Sequence, residues 1–128
     1  MVMIYYFTRN GDSRAIAADL SALLGGQVYQ ITDGRDWSGP AGFIRGGYYA
    51  SAKKSLPADF QRPQDDAVIY LCFPVWAGGF PPAVRTFIDQ VGRQRIIAVP
   101  TSLGGELNDA AGFPQVIPVY GKDKTVRL

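Results

Sequence analysis

A single α/β domain built on a doubly wound, five-stranded parallel sheet is the fold this sequence predicts, and three observations carry the prediction. Short apolar runs rich in β-branched and aromatic residues alternate with longer stretches of helical spacing, as βαβ units require. The first run reads as continuously apolar, as a strand covered on both faces does. At 128 residues the chain suits one compact domain. A body of that size buries about two thirds of the surface its unfolded chain exposes, so neither disulfide nor metal is needed for stability.

The elements follow in order. Residues 2–7 predict the first strand. Ser13 stands where its hydroxyl can cap a following helix, in which Ile16, Leu20, Leu23 and Leu24 fall at i, i+4, i+7 and i+8 and Gly25-Gly26 supplies the stop. Residues 27–31 predict a shorter second strand, nearer an edge. From Thr32 to Pro63, Gly34, Gly39, Pro40, Gly42, Gly46 and Gly47 interrupt any period. A short helix over residues 44–54, with Tyr48, Tyr49 and Ala52 on one face, is the most this stretch offers. Residues 67–73, bounded by Asp65-Asp66 and Pro74, predict the central strand. Pro82 suits a first helical position, and Val84, Phe87, Ile88 and Val91 then make a stripe that Gly92 ends. Residues 95–100 predict the fourth strand, ending at Thr101, and residues 116–120 the fifth. The polar segment after Tyr120 opens with glycine and is too short for a helix. The stretch 102–114 is likewise short for a crossover helix. One face of the sheet should therefore lack a covering helix, and a second copy of the chain is expected to bury it.

Composition narrows the function classes. One cysteine, Cys72, lies within an apolar run where a buried thiol is the simple reading, and there is no histidine. Neither a disulfide framework nor a zinc site can be assembled from that set, and an intracellular, cytoplasmic, metal-free protein is expected. The apolar amino terminus is too short for a signal core or a membrane span. A net charge of +2 with scattered basic residues argues against nucleic acid or anionic lipid as a partner.

Three loops carry the chemistry. Thr8-Arg9-Asn10-Gly11-Asp12-Ser13 joins the first strand to the first helix, where unpaired backbone N–H groups and the positive helix end suit a phosphate. An ordinary capped turn is the competing reading of that loop. Pro74-Val75-Trp76-Ala77-Gly78-Gly79 leaves the central strand at the same end of the sheet, with Trp76 as an aromatic plate beside backbone that a planar ring can approach; stacking there contributes ~1 kcal/mol beyond burial. Its competitor is a core tryptophan beside a turn. Thr101-Ser102-Leu103-Gly104-Gly105 leaves the fourth strand at the same edge with hydroxyls and two further glycines. In a sheet wound both ways from its centre, the first and third strands flank the switch point where ligands bind, so the loops converge on one crevice.

The whole chain resembles the flavodoxin family, in particular short flavodoxin-like proteins and FMN-dependent NAD(P)H oxidoreductases. The resemblance rests on Ile4 to Arg14, on Gly46-Gly47-Tyr48-Tyr49, and on Phe73 to Gly79 with Pro82 to Phe87. Thr8, Gly11 and Ser13 match the family's phosphate loop, while Asn10 departs from it at a hydroxyl position. The resemblance implies the strand order 2-1-3-4-5, and the missing last helix is a departure from the family. It also implies FMN as cofactor, held at its phosphate by Thr8 to Ser13 and bordered at its ring by Pro74 to Gly79 and Thr101 to Gly105. Asp12 places a carboxylate in a loop meant for a dianion, to be offset by Arg9 or Arg14 or by pointing to solvent.

With FMN as the redox group, no catalytic side chain is required. The slightly basic chain, with no carboxylate from Trp76 to Pro82, favours a flavin-dependent reductase, using NAD(P)H or a protein as electron donor, over an acidic electron carrier. A degenerate binding or assembly module is the alternative from another class. A dinucleotide-binding fold fits less well because residues 8–14 contain only Gly11, and a phosphoacceptor domain because Phe73-Pro74 stands where its aspartate belongs.

Overall fold

Strand and helix alternate from Val2 to Ser102 in the computed structural model, which describes residues 1–122 and 124–128. The elements are β1 (Val2–Tyr6), α1 (Asp12–Leu24), β2 (Gln27–Gln30), α2 (Gly39–Ser51), β3 (Val68–Pro74), α3 (Pro82–Val91), β4 (Ile96–Ser102), β5 (Gln115–Val116) and β6 (Val119–Tyr120). All strand pairs are parallel and the order is β2-β1-β3-β4-β5, with β6 also on β4. The expected order 2-1-3-4-5 is therefore present, and the chain has no helix after Val91 longer than a single 3₁₀ turn among the described residues.

The expected fifth strand is divided. β5 and β6 pair with β4 in one continuous register, interrupted at Ile117-Pro118. Ile117 N–H reaches Ala98 O and Gly121 N–H reaches Ser102 O, both at 2.8 Å, so the odd-numbered residues face β4; the missing donor is Pro100 of β4, which has no N–H to give Ile117 O, and the strand breaks there.

Alternation along the strands sorts the core into two layers. Met3, Tyr5, Ile69, Leu71, Phe73, Ile96 and Ala98 face α3 and the loops on one side, meeting Ala83, Val84, Phe87 and Ile88. Ile4, Tyr6, Cys72 and Val99 face α1 on the other, meeting Ile16, Ala17 and Leu20. Burial pushes the Cys72 thiol far above its ordinary pKa, so it is an inert core group.

Three expectations about the helices are corrected. Ser13 is not the cap of α1: Gly11, at φ 96°, holds the N-cap position and Ser13 lies buried inside the first turn. Leu23 faces solvent, because a stripe of about 100° takes Ile16, Ala17, Leu20 and Leu24 and leaves position 23 outside. α2 begins at Gly39, with Pro40 in its first turn, and it buries Gly42, Gly46 and Ala50 instead of Tyr48, Tyr49 and Ala52. The glycines that hide its period are its packing face. A Cβ on Gly42 would lie 2.2 Å from the Trp37 carbonyl, and one on Gly46 would lie 3.0 Å from the Trp76 ring. Only a side chain of hydrogen lets α2 approach so closely.

Candidate functional site

The carboxyl ends of β1, β3 and β4 lie side by side, with Tyr6 opposite Cys72 and Pro74 opposite Thr101. The turns that leave them therefore meet at one edge of the sheet. They enclose a cavity of about 400 Å³ lined by Arg9, Asn10 and Asp12 from the first turn, Pro74, Val75 and Trp76 from the second, and Thr101, Ser102, Leu103 and Gly104 from the third. Phe43 of α2 closes its side. A hollow of about 210 Å³ shares Arg9, Phe43, Val75 and Trp76 and runs beneath α2 along Gly42, Gly46 and Gly47 as far as Ala77.

Hydrogen bonds tie the three turns together from below. Thr101 Oγ1 donates to Phe73 O at 3.3 Å, and the Ser13 and Thr101 hydroxyls lie 3.1 Å apart, which leaves Ser13 as donor to Thr101. Both side chains are buried, so they form the floor of the crevice. Thr8 Oγ1 accepts from Gly11 N–H at 2.7 Å, and Ser102 Oγ accepts from Gly104 and Gly105 N–H. Each of those two hydroxyls keeps a proton free to donate.

The charges are arranged differently from expectation. Asp12 is met neither by Arg9 nor by Arg14 but by Lys124, at 2.9 Å, from the carboxyl-terminal segment, and by Asn10 Nδ2 at 3.3 Å. Arg9 spans the crevice mouth: Nε donates to Trp37 O at 2.8 Å, a terminal nitrogen donates to Gly39 O at 3.0 Å, and the guanidinium lies over the Phe43 ring. Its acceptors are carbonyls, and it makes no ion pair among the described residues, so no described carboxylate neutralises it at the cavity wall.

Trp76 is fixed as a wall. Its ring meets Phe7 edge-on at 5.7 Å and Trp37 at 5.1 Å, and Gly46 lies against its edge. Trp37 is held in turn by Asp33, which accepts from its indole N–H at 2.9 Å. The next residues form a tight hairpin: Trp76 and Gly79 exchange both backbone hydrogen bonds, with Ala77 (φ 50°) and Gly78 (φ 75°) at the corners. Positive φ at both central positions is the type I′ pattern.

Of the residues singled out in the sequence, Arg9, Asn10, Asp12, Pro74, Val75, Trp76, Ala77, Thr101, Ser102, Leu103 and Gly104 line the two connected hollows. Thr8, Gly11 and Ser13 shape the first turn from behind. Gly78 and Gly79 face away, into a different cavity, and Gly79 N–H is consumed within the hairpin. Gly105 is occupied with Ser102. Sequence reasoning missed the α2 wall of Gly42, Phe43, Gly46 and Gly47. The i, i+4 spacing of Gly42 and Gly46 is the signal that marks it, once glycine is read as permitting close approach.

No protein-family model and no curated protein matches the chain. Solved structures do. A flavoprotein of Lactobacillus acidophilus NCFM, crystallised in complex with FMN, superposes with a TM-score of 0.68 over 95% of this chain and 93% of its own, at 17% identity. The fold is flavodoxin-like. A protein of Bacteroides uniformis ATCC 8492 with a provisional flavoprotein assignment superposes with a TM-score of 0.73 at 17% identity, covering 96% of this chain and 92% of that one. A similarly assigned protein of Bacteroides eggerthii DSM 20697 gives 0.64 at 18% identity, over 94% and 86%.

Proposed function

We propose that this flavodoxin-like chain binds FMN and works as a flavin-dependent reductase, passing electrons from NAD(P)H or a protein donor to a small-molecule or protein acceptor. The observation that carries the proposal is the convergence of the turns after β1, β3 and β4 on one cavity walled by Trp76. Its volume falls within the ~300–1,000 Å³ of small-molecule sites.

The residues fit the cofactor at both ends. At the phosphate end stands the amino terminus of α1, where Gly11 and Asp12 N–H are turned to Thr8 Oγ1 and Asn10 Oδ1 and the Ser13 and Arg14 N–H groups have no partner inside the helix. Asp12 would repel a dianion, and Lys124 offsets it. At the ring end, Trp76 offers a plane and Phe43 and Leu103, 70% and 65% exposed, flank the mouth as apolar lips. The backbone N–H groups of Ala77 and Gly78 make no hydrogen bond among the described residues, and Ala77 lines the hollow that Trp76 walls, so its N–H is free to meet the ring edge.

When bound, FMN supplies the hydride and electron chemistry. The chain's own part is to fix the ring between Trp76 and the Ser102-Leu103 turn, to keep water from one face, and to bias its charge state. A neutral-to-basic crevice, with Arg9 at its wall, favours an anionic reduced ring and so a higher potential than an acidic crevice would.

No helix among the described residues is long and apolar enough to cross a membrane. A cytoplasmic location and a homo-oligomer belong to the same proposal. The test is an absorption spectrum of the purified protein with an FMN titration, followed by NADH and NADPH oxidation with a quinone acceptor. Yellow protein, or submicromolar FMN binding, supports the cofactor; turnover supports the reductase. A colourless protein indifferent to FMN leaves a binding or assembly module in its place.

A further inference from the structure

Behind the Trp76–Gly79 hairpin, on the side away from the crevice, lies a cavity of about 320 Å³ that the flavin reading does not use. We propose that it is an anion site that takes a phosphate group, with Lys53 and Arg85 as its cations.

Charge is the first argument. Asp109 is the one carboxylate lining the cavity, and it is already engaged by Arg93, whose terminal nitrogens lie 3.0 and 2.9 Å from its two oxygens. Those hydrogen bonds hold its carboxyl below the usual range, and the charges of Arg85 and Lys53 act on it in the same direction. Arg93 thus cancels Asp109 and leaves Lys53 and Arg85 unpaired: neither makes an ion pair among the described residues. Two unpaired cations beside one hollow match a phosphate dianion.

Unmet hydrogen-bonding capacity is the second argument. Arg85 Nε is buried and has no hydrogen-bond partner, the only buried side-chain nitrogen or oxygen among the described residues in that state. The guanidinium is held in place over the Phe80 ring. A buried donor without an acceptor costs free energy, and the terminal nitrogens of the same guanidinium, which also make no hydrogen bond among the described residues and are not buried, are the donors an anion in the hollow would meet. The Ser51 hydroxyl and the Asn108 amide, which packs against Gly78, line the same hollow.

Backbone conformation is the third. Lys53 (φ 53°) and Ala77 (φ 50°) are two of the three non-glycine residues with positive φ among those described, and both line this cavity. Lys53 follows α2 where a glycine would be easier, so its side chain is delivered to the hollow at a cost in backbone strain.

The occupant has two sources with one chemistry: free phosphate, or the phosphate of a nucleotide such as the donor dinucleotide. Calorimetric titration with inorganic phosphate and with adenosine 2′,5′-bisphosphate, at low ionic strength and both with and without saturating FMN, separates them. The site is independent of the flavin reading, because the FMN-free titration reads it even if no flavin binds. The expected result is binding that falls about tenfold in Lys53→Gln, the order of one charge-assisted hydrogen bond, and is unchanged in Lys54→Gln, the neighbouring cation outside the cavity. Tighter binding of the bisphosphate assigns the site to a nucleotide, and equal binding assigns it to free phosphate. Arg85→Gln should repeat the loss, with circular dichroism reporting its fold. No binding of either probe to the parent protein, or equal loss in Lys54→Gln, overturns the proposal.

Discussion

Alanine at Gly42 and at Gly47 should change stability in opposite directions, although the two glycines sit in one helix within two turns of each other. Glycine in a helix interior costs about 1 kcal/mol relative to alanine, chiefly through backbone entropy, so each substitution begins with that gain. At Gly47 an added Cβ meets nothing within 4 Å, and the gain stands. At Gly42 it would sit 2.2 Å from the carbonyl carbon and oxygen of Trp37, which are backbone and cannot swing aside. Overpacking costs about 1–3 kcal/mol, and a backbone collision takes the upper figure, so Gly42→Ala should lose about 2 kcal/mol net. For a domain of this size that is a melting temperature lower by about 6–10 °C, against a rise of about 3–5 °C for Gly47→Ala. Gly46→Ala falls between, since its Cβ would press the Trp76 ring edge at 3.0 Å and the indole can yield by a few tenths of an ångström. Thermal and urea unfolding followed by circular dichroism read all three. Gly42→Ala as stable as the parent, or Gly47→Ala less stable, would refute the argument that α2 carries its glycines for close approach. Gly42→Ala should also weaken FMN binding, because the displaced Trp37 carbonyl is the acceptor for Arg9.

Further outcomes follow from other contacts in the structure. Trp76→Leu should weaken FMN binding about fivefold, as the loss of ~1 kcal/mol of stacking implies; unchanged affinity in a fluorescence titration would remove Trp76 from the ring site. Asp12→Asn should tighten FMN by roughly threefold at low salt, an advantage that fades as salt screens it, while Lys124→Ala should change stability by less than about 1 kcal/mol because the pair is partly exposed. The Asp109 carboxyl is lowered from its ordinary 3.8 in the folded state, so its ion pair with Arg93 contributes stability that is fully present above that value and lost as pH falls through the lowered one. The stability gap between the parent and Asp109→Asn, measured by urea unfolding, should therefore be constant from pH 7 to 5 and close in stronger acid. Cys72 should resist iodoacetamide in the native protein at pH 8 and react fully in urea; rapid native labelling would contradict its burial.

What could be read in the sequence, and what could not, divides along physical lines. β1, β3 and β4 were legible because a strand buried on both faces must be continuously apolar, and few other local patterns imitate that. α3 was legible because proline at its start and glycine at its end are local devices. α2 was not. Its buried face is made of Gly42, Gly46 and Ala50, which carry almost no hydrophobic signal, while its most apolar side chains, Phe43, Ile44 and Tyr48, point outward. The crevice was legible as far as it is built from turns that follow strands, whose position topology dictates. Its α2 wall depends on how closely a helix approaches two tryptophans, and no local pattern states that. The partner of Asp12 was equally out of reach, since Lys124 lies 112 residues away and is brought there only by the path of the tail.

That tail also decides how much of the sheet is left bare. One face of the sheet was expected to lack a covering helix; on the face opposite α3, Val126 is buried in the same cluster as Ile4, Tyr6, Ile16, Cys72 and Val99. Lys124 meets Asp12 beside the crevice, so Lys124 and Val126 lie against this face without a helix. Other parts of it are less covered: Val68 is 45% exposed, and Val2, Tyr70 and Ile97 are only partly buried. A stable dimer buries about 800 Å² on each partner, more than four such side chains supply. Dimerisation through this face must therefore also recruit the neighbouring edge strand β2, whose Val28 lies in register with Ile4. Val68→Lys places a charge on this exposed part of the face, where an unpaired charge cannot be buried, and a dimer formed through it should become a monomer in analytical ultracentrifugation at micromolar concentration. A dimer that survives Val68→Lys must use another surface, and a parent that is already monomeric shows that the tail suffices.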